Sequence, residues 1–173
     1  MAVIVEDGTV VANANAYASV QEADTYLASR NRRAWLEADD GLKESAILVA
    51  TDYIELRYGH SFIGCKQDDG QSLSWPRKDC GYDNVIPKEL KRACMEYASI
   101  VFETDWNLLP NPKFDDSGLG QIERRRKVGP IEKEFRSPTS GKGSKMEIFR
   151  VYPVADELLK GLLKKQYGGV IRN

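Results

Sequence analysis

Residues Lys88 to Thr104 constrain this chain more than any other stretch. Pro87 suits the first position of a helix. Leu90, Ala93, Cys94, Tyr97 and Val101, joined by Met95 and Phe102, then recur at helical spacing and give a broad apolar face. A second segment, Leu42 to Tyr58, has the same period. Ala46, Ala50, Tyr53, Ile54 and Arg57 line one side, Ile47 and Val49 widen it, Asp39 or Asp40 supplies the cap, and Gly59 stops it. A third helix opens at Ser19, which with Glu22 forms a capping box. Val20, Ala23 and Leu27, with Tyr26 beside them, carry it to about Arg30, where Arg30, Arg32 and Arg33 complement its negative pole. Three such helices predict a mainly α fold, a small helical bundle.

The remaining segments decorate that bundle. Val3 to Val5 and Val10-Val11 are β-prone and flank the turn Glu6-Asp7-Gly8, so an extended arm or small hairpin is expected at the start. Residues 60–84 have no sustained period. There Pro76 holds Trp75 extended, and Trp75, Pro76, Tyr53 and Tyr97 are expected to be packing anchors. Beyond Asp105 the character changes. Leu109-Pro110-Asn111-Pro112 breaks the backbone, and Gln121 to Phe135 reads as a β-ribbon turning at Gly129-Pro130. Ser137 to Lys145 is a connection of turn formers, and Met146 to Val151 has the makings of a third strand. Pro153 opens a last helix with Leu158, Leu159, Leu162 and Leu163 on one face, ended by Gly168-Gly169 before the tail Val170-Ile171-Arg172-Asn173. The expected division is a helical core with an N-terminal arm over 1–110, a ribbon and flexible loop over 111–152, and a C-terminal helix with its tail over 153–173.

At 173 residues the chain has room for one ordinary domain. No apolar run approaches the roughly 20 residues of a membrane helix. The start M-A-V-I-V-E-D-G lacks the basic and apolar regions of a secretory signal, which predicts residence in a cytoplasm. Cys65, Cys80 and Cys94 have no C-x-x-C spacing and suit a reducing compartment; Cys94 reads as a small buried hydrophobe, while Cys65 and Cys80 flank a loop.

Little in the sequence points to catalysis. His60 is the single histidine, whereas imidazole metal sites need two or more. Gly141-Lys142-Gly143-Ser144 lacks the spacing of a phosphate-binding loop. The pairs Asp39-Asp40, Asp68-Asp69 and Asp115-Asp116 are explained by solvated turns. Neither an enzyme nor a cofactor or metal is therefore expected. Two features have a functional edge. The run Arg124-Arg125-Arg126-Lys127 gains free energy near phosphates by releasing counterions. Alternatively, it pairs across strands with Glu123, Glu132 and Glu134, the preferred reading for a monomer. The leucine face at Leu158, Leu159, Leu162 and Leu163 reads first as core. With Tyr167, Val170 and Ile171 it also makes a candidate docking element for a partner groove. Charge is asymmetric: residues 1–60 hold ten acids and five bases, and the rest sixteen acids and twenty bases. Such polarity suits head-to-tail stacking of copies, or one end facing a polyanion.

The ordered series Val5–Thr9, Ser19–Leu27, Thr51–Tyr58, Trp75–Arg77, Pro87–Lys91 and Val128–Glu132 resembles a family of small tailed-phage proteins. They are labelled DnaT-like single-stranded-DNA-binding proteins, and many sit among head–tail connector genes. The resemblance implies a helical bundle with arms, fold-defining motifs, and a head–tail adaptor ring, twelvefold by analogy with the portal. Its implied partners are further copies of itself, the portal protein, tail or stopper/nozzle proteins, and genomic double-stranded DNA passing through the channel, with no membrane. Its implied place is the neck of the virion, assembled in the bacterial cytoplasm. On that reading Arg124 to Lys127 face DNA or a neighbouring subunit. Residues 153–173 dock on the portal, and truncation after Val151 leaves a folded monomer that no longer binds it. The alternatives are a single-stranded-DNA-binding accessory protein of replication or packaging, and a stopper or tail-completion protein.

Overall fold

The structure, a computed structural model, describes residues 2–109, 113–114, 120–121 and 150–164. The chain divides into two compact units, Met1–Leu108 with Val151–Asn173, and Leu109–Arg150. Five helices stand among the described residues: α1 (Val20–Ala28), α2 (Arg33–Leu36), α3 (Asp40–Tyr58), α4 (Lys88–Glu103) and α5 (Pro153–Lys160). Two short antiparallel pairs accompany them, β1 (Cys65–Lys66) with β2 (Arg77–Lys78), and β3 (Lys113–Phe114) with β4 (Gly120–Gln121). The mainly α architecture expected from the periodicities is the one observed. No helix among the described residues is long and apolar enough to cross a membrane.

The first unit is organised around α4, which touches α1, α2, α3 and α5. Its face is as broad as its sequence requires, with Leu90, Ala93, Cys94, Tyr97, Ala98 and Val101 all fully buried. Opposite lie Ala46, Ile47, Ala50 and Ile54 of α3. The helix starts are set locally. Ser19 and Glu22 close their capping box on α1, and the Asp39 carboxylate accepts the Leu42 N–H at the head of α3. Pro87 is the N-cap of α4, one place earlier than expected. Between α3 and α4, the Trp75-Pro76-Arg77 segment is buried throughout, and the Trp75–Pro76 peptide is cis. Trp75 meets Phe62 and Tyr82 edge-on, and Trp75, Pro76, Tyr53 and Tyr97 are all buried.

The structure differs from the sequence reading in three places. Of the two N-terminal alternatives, arm or hairpin, the hairpin is not formed: Val5 bridges Ala16 in parallel, and Glu6 N–H donates to the Ala16 carbonyl at 2.9 Å. The cause is Glu6 itself, 1% exposed. Its carboxylate accepts from the N–H groups of Gly8, Val10 and Val11, so residues 8–11 curl around it and form no ladder. Gly8, at φ +109°, passes so close to Asn84 that a Cβ would lie 2.4 Å from the Asn84 carbonyl oxygen. Next, α2 was not foreseen; this four-residue turn buries Trp35 completely against Phe102.

The third correction concerns the C-terminal helix. It is part of the first unit, packed on α4, and not a separate element; the linker expected at Ser137 to Lys145 lies outside the described residues. Ala155, Leu159 and Leu162 are buried, and the Leu162 carbonyl accepts from Ile63 N–H at 2.9 Å. Leu163 bridges Phe62. Tyr152, just before α5, donates its hydroxyl to the Leu108 carbonyl at 2.7 Å. A chain cut after Val151 would lose this buried face, contrary to the expectation of an intact folded monomer.

Candidate nucleic-acid interface

Several charged residues of the motif series are occupied inside the fold. Glu55 of α3 accepts the Ser74 hydroxyl at 2.6 Å and the Ser74 N–H at 3.1 Å, and it takes the Tyr17 hydroxyl as well. Burial, followed by the Glu55 charge, pushes the Tyr17 phenol well above its ordinary value. Arg77, only 6% exposed, spreads its guanidinium over the carbonyls of Ile63, Ser74, Gly64 and Phe62. Five donors in a rigid plane suit such a cage, where an ammonium would not.

The largest of these arrangements joins three helices. Asp156 of α5 receives both terminal nitrogens of Arg57 at 3.1 Å, the Tyr58 hydroxyl at 2.9 Å, the Tyr97 hydroxyl, and the Tyr152 N–H at 3.0 Å. Arg57 also holds the Tyr53 hydroxyl at 2.7 Å. Burial drives the Tyr58 and Tyr97 phenols upward, and the Asp156 carboxylate reinforces it; Tyr53 is pushed up to about 12, again chiefly by burial. The Tyr58 and Tyr97 phenols stay protonated and act as donors that fasten α5 to α3 and α4, while the Tyr53 hydroxyl accepts from Arg57. The helices build Glu55, Arg57 and Tyr58 into a scaffold.

Accessible positive charge gathers elsewhere, on the seam between α1 and α4. Glu96 of α4 is 2% exposed and is the anchor. Arg32 donates to it at 2.7 Å, the Tyr26 hydroxyl at 3.2 Å, and Arg30 lies 3.8 Å away. The Arg30 guanidinium stacks on the Tyr26 ring, 3.5 Å from its centroid, and also donates to the Tyr26 carbonyl at 2.8 Å. Burial, then the Glu96 charge, raises the Tyr26 phenol, with Arg30 and Arg92 pulling against them. One turn before Glu96 on α4 stands Arg92, exposed and with no acid within 4 Å among the described residues; Lys88 lies one turn earlier. Lys91 is matched by Glu22 at 2.8 Å. Counting Lys88, Lys91, Arg92, Arg30 and Arg32 against Glu22, Glu89, Glu96 and Asp7, whose carboxylate feels the Lys91 charge, leaves the seam one positive charge in excess.

The residues singled out from sequence fall in three places. Arg124, Arg125, Arg126 and Lys127, with Tyr167, Val170 and Ile171, lie outside the described residues. Leu159 and Leu162 are buried in the first unit, and Leu158 and Leu163 are half-buried. Tyr53, Tyr97, Trp75 and Pro76 sit in the core. The seam was missed, although Arg30 and Arg32 were noticed as the basic end of α1. An unused signal was the spacing Lys88, Arg92, Glu96, which places three charges along one side of a helix. Trp106, the exposed tryptophan, was missed too; it meets Phe102 edge-on beyond the end of α4. Among the described residues no group of three or more His, Cys, Asp or Glu side chains can hold a metal.

Fold and surface together define a mainly helical protein with Glu6, Glu55, Arg57 and Arg77 occupied inside the fold and a cationic seam outside. The chain belongs to the family described as "Putative DnaT-like ssDNA binding protein", which it matches over residues 1–172. Neither the curated proteins nor the solved structures gave a match.

Proposed function

We propose that this protein is a DNA-binding accessory protein that holds single-stranded DNA. The observation that carries the reading is its membership, across nearly the whole chain, of a family described by that activity. The α1–α4 seam supports it, because accessible arginines beside an aromatic ring are what a single strand uses. No bond is made or broken in this role. The test is a fluorescence-anisotropy titration of the full chain with labelled oligo-dT at about 50 mM and about 200 mM salt. Submicromolar affinity that weakens steeply with salt is the expected result; no binding at the lower salt refutes the reading.

The charge asymmetry favours a second reading: an adaptor ring of head-to-tail copies beneath a phage portal, or a stopper one ring lower, placed in the virion neck. There the acidic first sixty residues of one copy meet the basic remainder of the next. Mass measurement of the protein alone and mixed with a portal tests this. A monomer that ignores the portal overturns it.

A further inference from the structure

Resting on the single-stranded-DNA reading, we propose that the strand lies along the α1–α4 seam. In this arrangement Lys88 and Arg92 take backbone phosphates, and a base stacks on the outer face of the Arg30 guanidinium. Three observations carry this. First, Arg30 is built as a platform: its inner face rests on Tyr26, its Nη1 is tied to the Tyr26 carbonyl and the Ser29 hydroxyl, and its side chain remains 40% exposed. An unstacked base finds there a planar cation already held in place, at little further entropic cost.

Second, the buried acid does not consume the surface charge. Arg32, at 2.7 Å, is the close partner of Glu96, whereas Arg30 stands 3.8 Å away. Arg92 has no ion pair among the described residues, and the contact of Lys88 with Glu89 is a long 3.9 Å. Third, Lys88 and Arg92 are four residues apart, which sets them about 6 Å apart along one side of α4. They lead toward Arg30 at the level of Glu96. A duplex keeps its bases stacked on each other, so this arrangement selects single strands.

The test compares three proteins by anisotropy with fluorescein-labelled oligo-dT and with a duplex as competitor: the full chain, Lys88→Ala/Arg92→Ala, and Arg30→Lys. Each phosphate contact contributes about 0.7 to the log–log salt slope for a single strand. The double variant is therefore expected to lower that slope by about 1.4. Arg30→Lys keeps the charge and loses the plane, so the slope should hold while affinity falls about 5-fold or more. The duplex should compete poorly. All three side chains are at the surface, and matching thermal melts verify the fold. If the full chain binds but both variants bind as it does, or the duplex competes equally, the seam is not the site and the DNA-binding reading survives. If the full chain itself fails to bind, both fall.

Discussion

Replacing Asp156 by alanine removes one carboxylate that gathers five donors from α3, α4 and the start of α5. Arg57 and Asp156 are 16% and 19% exposed, so the pair is mostly buried. Breaking a buried pair by deleting one partner costs about 3–5 kcal/mol, because the other charge is left behind. Two features of the site argue for the lower end. Arg57 keeps the Tyr53 hydroxyl, and the Tyr58 and Tyr97 hydroxyls, already 3.4 Å apart, can donate to one another. We expect a loss of about 3 kcal/mol, a large share of the roughly 5–15 kcal/mol that holds a domain. Urea unfolding followed by circular dichroism reads it as a lower midpoint with an unchanged slope. Asp156→Asn, which keeps an acceptor and the shape, should fall between the two. A loss under about 0.5 kcal/mol in the alanine variant would show that the carboxylate does not fasten α5, and the reasoning would fail.

Four further outcomes follow from the same structure. Arg77→Lys should destabilise by about 3 kcal/mol in the same assay, since one ammonium cannot serve carbonyls arranged for a planar fork. Ser19→Ala should cost about 1 kcal/mol by opening the capping box of α1. Cys94 is fully buried, and burial raises its thiol to about 11 from an ordinary 9.0. A thiol reagent at neutral pH should accordingly modify Cys65 and leave Cys94 untouched until the protein unfolds. Because the folded value is the higher one, the Cys94 contribution is whole below pH 9.0 and fades as pH climbs through about 11. The difference in stability between the native chain and Cys94→Ala should change over that interval; a constant difference would count against burial of the thiol.

The helices were legible where their signals are local. Ser19 with Glu22, Asp39, Gly59 and Pro153 each mark a boundary within a turn or so of where it lies. Periodicity placed the anchors Tyr53 and Tyr97 in the core for the same reason. What could not be read depends on partners distant in sequence. Arg57 sits on the apolar face of α3 by its spacing, yet its meaning comes from Asp156 on α5. Arg32 looked like a countercharge for the pole of α1, but its partner Glu96 is 64 residues away. Glu6 looked like part of a polar turn; that its carboxylate would be buried and curl the following residues around itself depends on tertiary packing. α2 is too short to have a period, and Trp35 against Phe102 is what settles it.

The hydrogen bond from Tyr152 to the Leu108 carbonyl has a consequence for how such chains diversify. It joins the points where the polypeptide leaves the helical unit and re-enters it, with Leu109–Arg150 between them. Because that neck is already shut, the entropy of closing the excursion changes only slowly with its length. Descendants can lengthen, shorten or exchange the excursion as a cassette, and a graft of foreign sequence at this junction would start from ends that already meet.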